Sequence, residues 1–131
     1  MASKKSRKPA IATARSDHDR LTKLAESLSS QIPELSDELL AELERARVVD
    51  DAKLPQTVVR MGSSLRYTSD LGEDRSVTLV YPGEADIAKG RISILTPIGA
   101  ALIGLSAGQS IDWKARDGRA HRLTVREVWR G

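Results

Sequence analysis

The 131-residue chain contains no cysteine and no phenylalanine, and its only aromatic side chains are Tyr67, Tyr81, Trp113 and Trp129. Without cysteine there is no disulfide framework, thiolate nucleophile or cysteine-based zinc site. With so few rings, the core must be built from Leu, Ile, Val and Ala. No apolar run approaches the ~20 residues that cross a bilayer. The first residues are basic but lead into no apolar stretch, so no secretory signal is read there and the cytoplasm is the expected compartment. Histidine is also scarce. His18 and His121 lie far apart, and no HxxxH spacing exists. Neither a GxSxG elbow nor a GxxxxGK[ST] phosphate loop occurs. No catalytic residue, metal set or cofactor is expected.

Charge is present, and it is uneven. The net charge is +3, but Lys4, Lys5, Arg7, Lys8 and Arg15 fall within the first fifteen residues, which hold no acid. Residues 1–15 are therefore expected to form a basic, disordered tail. Such a tail attracts polyanions weakly, although no ring is interleaved with its charges to stack on bases.

Two helical patterns follow. Ser16-Asp17-His18-Asp19 suggests an N-cap with an acid three residues on. Leu21, Leu24, Ala25 and Leu28 then form one apolar stripe. After Pro33, Ser36 is the expected cap of a second helix, with Asp37 and Glu38 in its first turn and Leu39, Leu40, Leu43 and Ala46 on its apolar face. The two should pack as an antiparallel hairpin over residues 16–49. Each has about 13 residues, so the arm is roughly 20 Å long. Glu34, Asp37 and Glu38 gather near its tip. They suit either helix-dipole complementation or the oxygen ligation that Mg²⁺ prefers, the former being the simpler reading.

From about residue 50 the apolar period changes from 3.6 to 2. The runs 57–61 and 64–68 are β-rich. Val77, Leu79 and Tyr81, Ile92 and Ile94, Ile111 and Trp113, and Leu123, Val125 and Trp129 each alternate with polar neighbours. Such alternation predicts a sheet with one buried face. Asp70–Asp74, with Gly72, and Asp117-Gly118 are the expected turns. One short helix interrupts the strands: Thr96 caps it, Pro97 occupies its first position, and Gly104 ends it. The predicted class is α+β, an antiparallel sheet wrapped on one short helix in residues 50–131 and preceded by the hairpin.

Residues 79–82 read Leu-Val-Tyr-Pro and 84–86 Glu-Ala-Asp; Thr96 to Leu105 read Thr-Pro-Ile-Gly-Ala-Ala-Leu-Ile-Gly-Leu; 108–113 read Gly-Gln-Ser-Ile-Asp-Trp. These segments resemble the C-terminal domain of the Gre transcript-cleavage factors. They resemble still more closely the Rnk family, the regulators of nucleoside diphosphate kinase. The resemblance covers about residues 55–130 and implies an FKBP-like domain. It also implies docking on RNA polymerase, at the β-prime coiled coil on the secondary-channel rim. The positions matching the family's docking residues are Thr96 and Pro97, with Asp86 of the Glu-Ala-Asp motif. Thr96 stands where Gre factors have serine, and Leu95 where they have Asn or Asp. Each of these residues also has an ordinary structural reading, Thr96-Pro97 as a helix start and Asp86 as part of a turn.

Gre factors reach the polymerase active centre with a long hairpin whose acidic tip helps position a metal and a water, and Mg²⁺ lowers the pKa of water bound to it. An arm of roughly 20 Å is far shorter and resembles that of Rnk. The expectation is a non-catalytic regulator that docks without stimulating cleavage and competes with Gre factors. Direct binding to nucleoside diphosphate kinase is the alternative. A prolyl isomerase, which the FKBP-like fold would suggest, needs an aromatic-lined pocket that four scattered rings do not provide.

Overall fold

The computed structural model describes residues 10–114 and 118–130. The chain begins with strand β1 (Ala12–Ala14), which pairs in parallel with β2 (Arg47–Val49), Ala12 opposite Arg47 and Ala14 opposite Val49. Parallel neighbours require a long crossover. Here it is the hairpin itself, α1 (Arg15–Ser27) and α2 (Pro33–Arg45). The five-stranded sheet has the order β5-β4-β3-β7-β6, from β3 (Ser63–Ser69), β4 (Asp74–Val80), β5 (Arg91–Ser93), β6 (Ser110–Lys114) and β7 (Ala120–Arg130). Helix α3 (Pro97–Leu102) connects β5 to β6. The α+β class is as predicted. The sheet departs from the antiparallel expectation at one seam, because β5 runs parallel to β4. The ten residues between these strands contain two short 3-10 turns, and they carry the chain back to the starting side.

One core joins all layers. Leu65 and Tyr67 of β3, Leu79 of β4, Ile111 of β6 and Leu123 and Val125 of β7 are buried, together with Ala100 to Leu102 of α3. Leu21 and Ala25 of α1 and Leu39 and Leu43 of α2 belong to the same cluster. Each fully buried leucine is worth about 1.5–3 kcal/mol relative to exposure. The hairpin is thus a layer packed on the domain.

The start of the chain departs from the tail expected over residues 1–15. Residues 1–9 lie outside the described part. Ile11 is buried, and residues 12–14 form β1. The apolar Ile-Ala-Thr-Ala run sits on the glycine after α3: Gly104 has φ 83°, and a Cβ there would stand 2.8 Å from the Ile11 Cβ. The Ala12 N–H donates to the Gly104 carbonyl at 3.3 Å.

Neither predicted serine cap forms. Helix α1 starts two residues earlier, after Ala14, and Ser16 directs both its N–H and its hydroxyl to the Asp51 carboxylate. Helix α2 starts at Pro33, whose fixed φ suits a first turn. Ser36 is instead buried, its hydroxyl donating to the Ala25 carbonyl at 2.7 Å, which ties the two helices together. The run 57–61 forms no strand of the sheet; Val58 makes a single antiparallel bridge to Ser106. The turn at Gly72 (φ 84°) is present. Of the Asp117-Gly118 turn, Asp117 lies outside the described residues.

Trp129 is the remaining departure. It was expected on the side of Leu123 and Val125. The register between β3 and β7 shifts between Arg66 and Tyr67, leaving Arg126 unmatched. One extra residue inverts the alternation beyond it. Val128 therefore packs against the core, while Trp129 stands on the outer face, 42% exposed.

Candidate functional site

Thr96 and Pro97 form a tightly knit corner. The Thr96 hydroxyl donates to the Ser93 carbonyl at 2.8 Å and accepts the Gly99 N–H at 3.0 Å. Pro97 occupies the first helical position, as predicted. Gly99 lies so close that a Cβ there would fall on the Ser93 carbonyl oxygen. Leu95, the apolar departure from the Gre pattern, packs against the core and gives its N–H to the Ser93 hydroxyl at 2.9 Å. The threonine hydroxyl is thus committed internally, and Pro97 is the residue of the pair presented outward, onto a groove.

That groove has a volume of about 320 Å³ and lies between α2, α3 and the β6–β7 hairpin. Ala41, Ala100, Ala101 and Ala120 open it, because methyl groups leave space that larger side chains would fill; Trp113 borders it, and Glu38, Glu42 and Asp112 bring carboxylates to it. Glu42 is buried and pairs with Arg45 at 2.8 Å. Sequence reasoning identified Pro97 but missed the alanines and Trp113. Their signal, small residues on both α2 and α3, emerges only once the two helices are known to face one another.

Asp86 lies elsewhere. Its backbone forms a two-way bridge with Arg91 at the start of β5, with both bonds at 2.9 Å. Thr96 follows the other end of that three-residue strand. The structure therefore separates Asp86 from Thr96-Pro97 by the length of β5. Among the described residues, the Asp86 carboxylate makes no hydrogen bond or ion pair, and Ile87 beside it is 84% exposed.

Charged groups fix how the hairpin sits on the domain. Asp17 is buried on α1, accepts the Met61 N–H at 3.2 Å and pairs with Arg60 at 3.4 Å. Burial raises its carboxyl above the ordinary range, against the pull of the Met61 N–H and Arg60. Asp51 is held below that range by its two bonds from Ser16. The Arg20 guanidinium lies 4.1 Å over the Tyr81 ring. His18 meets the Leu43 carbonyl at 3.0 Å, and His121 packs beside Trp113 with ring centres 5.8 Å apart, so both histidines are built into the structure. Of the hairpin acids, Glu38 reaches the groove. Among the described residues, no three His, Asp or Glu side chains are grouped to hold a metal ion. No described helix is long and apolar enough to cross a membrane.

A helical hairpin seated on a mixed sheet, with a proline-led helix beside an alanine-lined groove, defines a class. Residues 54–130 match the family model for the C-terminal domain of the GreA/GreB transcription elongation factors, and residues 9–49 match the model for the Rnk N-terminus. The chain is 37% identical over 123 residues to the regulator of nucleoside diphosphate kinase of Escherichia coli K12, covering 92% of this chain and 90% of that protein. It is 43% identical over 79 residues to the elongation factor GreA of Thermodesulfovibrio yellowstonii, of which it covers 50%. Among solved structures, a GreA/GreB elongation factor from Nitrosomonas europaea superposes with TM-score 0.73 at 41% identity, covering 91% of this chain and 98% of that one. The chain belongs to the Rnk family of GreA/GreB-related proteins. The named members of these families are regulators and elongation factors.

Proposed function

We propose that this protein is an RNA polymerase-binding transcription regulator that docks at the secondary-channel rim through the face around Pro97. On this reading it does not stimulate transcript cleavage, and it competes with Gre factors for the site. The observation that carries the reading is the pairing of a Gre-type domain over residues 54–130 with a hairpin of two 13-residue helices. At 1.5 Å per residue, each helix reaches only ~20 Å, and Leu21, Ala25, Leu39 and Leu43 join the hairpin to the domain's core.

The groove beside Pro97 supports the same reading. It is apolar at its centre and acidic at its edge, which suits a partner segment with an apolar anchor flanked by basic residues. Asp86 and Ile87, on the far side of β5, form a second, smaller contact element.

The test is binding of the purified protein to core RNA polymerase, with displacement by GreA and a transcript-cleavage assay on stalled complexes. The expected results are saturable binding, displacement by GreA and no cleavage above background. Pro97→Ala should weaken binding about tenfold, and Asp86→Ala less than that. Absence of binding at micromolar concentration would overturn the reading. It would direct attention to nucleoside diphosphate kinase, the protein named in the relative's description, through a pull-down with both candidates. Removal of residues 1–9 separates any nucleic-acid contact of the basic start from polymerase binding.

A further inference from the structure

The bulge at Arg126 that turns Trp129 outward completes a row across the sheet. Trp129 of β7 lies opposite Ser64 of β3, Ser64 opposite Thr78 of β4, and Thr78 opposite Arg91 of β5. Cross-strand partners share a face, so an indole, two hydroxyls and a guanidinium stand in line on the outer surface. The Ser64 and Thr78 hydroxyls bond to one another at 2.8 Å, which uses one of their two protons and leaves the other to donate. Gly62, Ser64, Thr78, Val80, Glu84 and Arg91 line a basin of about 420 Å³ at this row.

Elsewhere on the face the charges are consumed. Arg66 makes a two-pronged pair with Asp74 at 2.9 Å and also meets Glu127; Arg122 pairs with Asp112 at 3.4 Å. The basin differs. Among the described residues, the side chains of Glu84 and Arg91 make no hydrogen bond or ion pair, although both line it. An unengaged carboxylate and an unengaged guanidinium, with an exposed ring at the border, form a recognition set.

We propose that this basin binds a guanine base. Guanine presents two parallel donors, N1–H and the N2 amino group, to a carboxylate, and two acceptors, O6 and N7, to a guanidinium. Adenine offers a carboxylate no such donor pair. Trp129 supplies a flat surface for the ring, a contact worth about 1–3 kcal/mol per base in stacking sites. The row spans three interstrand gaps of about 4.8 Å each, which a purine fills together with the reach of the two flanking side chains. Among the described residues, Arg91 is the one cation lining the basin, so selectivity falls on the base. A free nucleotide and an unstacked guanine in single-stranded RNA present the same edges.

The experiment is a ¹H–¹⁵N titration of the full chain, followed at the Trp129 indole N–H, with that signal assigned through Trp129→Phe. The probes are guanosine monophosphate, adenosine monophosphate and a short single-stranded RNA containing one guanine. The expected result is a saturable shift with the guanine nucleotide, about tenfold weaker with the adenine nucleotide. Glu84→Gln and Arg91→Ala should each weaken it about tenfold while the remaining spectrum keeps its dispersion. A response to the RNA alone would support the site and assign its source to RNA. Absence of a Trp129 shift with every probe at millimolar concentration would overturn the proposal. So would equal response to both nucleotides that Glu84→Gln leaves unchanged. Both readouts are independent of polymerase binding.

Discussion

The sheet domain and the hairpin share one core, yet they are specified by different kinds of information. The domain carries its own apolar interior: Leu65, Leu79, Leu102, Leu105, Ile111, Leu123 and Val125 face one another within residues 63–125. The hairpin contributes only Leu21, Ala25, Leu39 and Leu43 as buried members, and these lie in the domain's cluster. Helices of 13 residues are marginal alone in water. The dependence is therefore asymmetric. The hairpin needs the sheet to bury its stripe, whereas the sheet uses the hairpin as a cover.

The sharpest way to break that asymmetry is Leu43→Ala. Leu43 is 2% exposed at the join of α2 and the core. Truncation of such a leucine costs about 2–5 kcal/mol. Urea unfolding followed by helical circular dichroism and by tryptophan fluorescence should give coincident transitions, both moved to lower urea. If the helical signal melts first and fluorescence is unmoved, the hairpin is a separate unit and the shared core is not a cooperative one.

A smaller effect is expected from Ser36→Ala, which removes the buried hydroxyl from the Ala25 carbonyl. The loss is about 0.5–1.5 kcal/mol, the net worth of one hydrogen bond, because the Ala25 carbonyl keeps the Leu28 N–H at 3.1 Å as a second donor. Measured by the same unfolding curves, it distinguishes a tie between helices from a cap. A loss of less than about 0.5 kcal/mol would show the bond to be replaceable.

The smallest effect concerns pH at the hairpin base. Asp17 has its carboxyl raised on folding, so the native state binds the proton more readily than the unfolded chain. Its contribution disfavours folding at neutral pH and is relieved as pH falls from its raised value through the ordinary carboxylate range. Asp51 and Asp74 are lowered; their stabilisation is present above the ordinary range and lost as pH falls through their own, lower values. Asp17→Asn should therefore steepen the loss of stability on acidification. A thermal melt series from neutral pH to pH ~3 checks this, and an unchanged slope would refute it.

Much of this architecture was legible in residue spacing, and the exceptions share a cause. The stripe Leu21, Leu24 and Ala25, the cap at Thr96, the proline at the head of α3 and the strand alternations short of the bulge in β7 are local patterns, and each forms where expected. What failed depended on distant partners. Ser16 and Ser36 have the chemistry of caps, but Asp51 and the Ala25 carbonyl claim their hydroxyls. The Ile-Ala-Thr-Ala run looks like the end of a basic tail until Gly104 and Arg47 are placed beside it. The bulge at Arg126 leaves no mark in composition, yet it decides which way Trp129 points. Of the candidate site, Pro97 was visible because proline at a helix start is a local signal. The groove was not, since Ala41, Ala100 and Ala120 become a surface only through the pairing of separate elements.

The parallel pairing of β1 with β2 has a consequence for how such proteins diversify. It fastens both ends of the helical excursion at one neck, so the geometry of the base is set independently of the distance to the tip. Lengthening α1 and α2 together would extend the reach by about 1.5 Å for each residue added to both and leave the neck untouched. Reach is thus an adjustable dimension of this fold, open to gradual change without re-engineering the body that carries it.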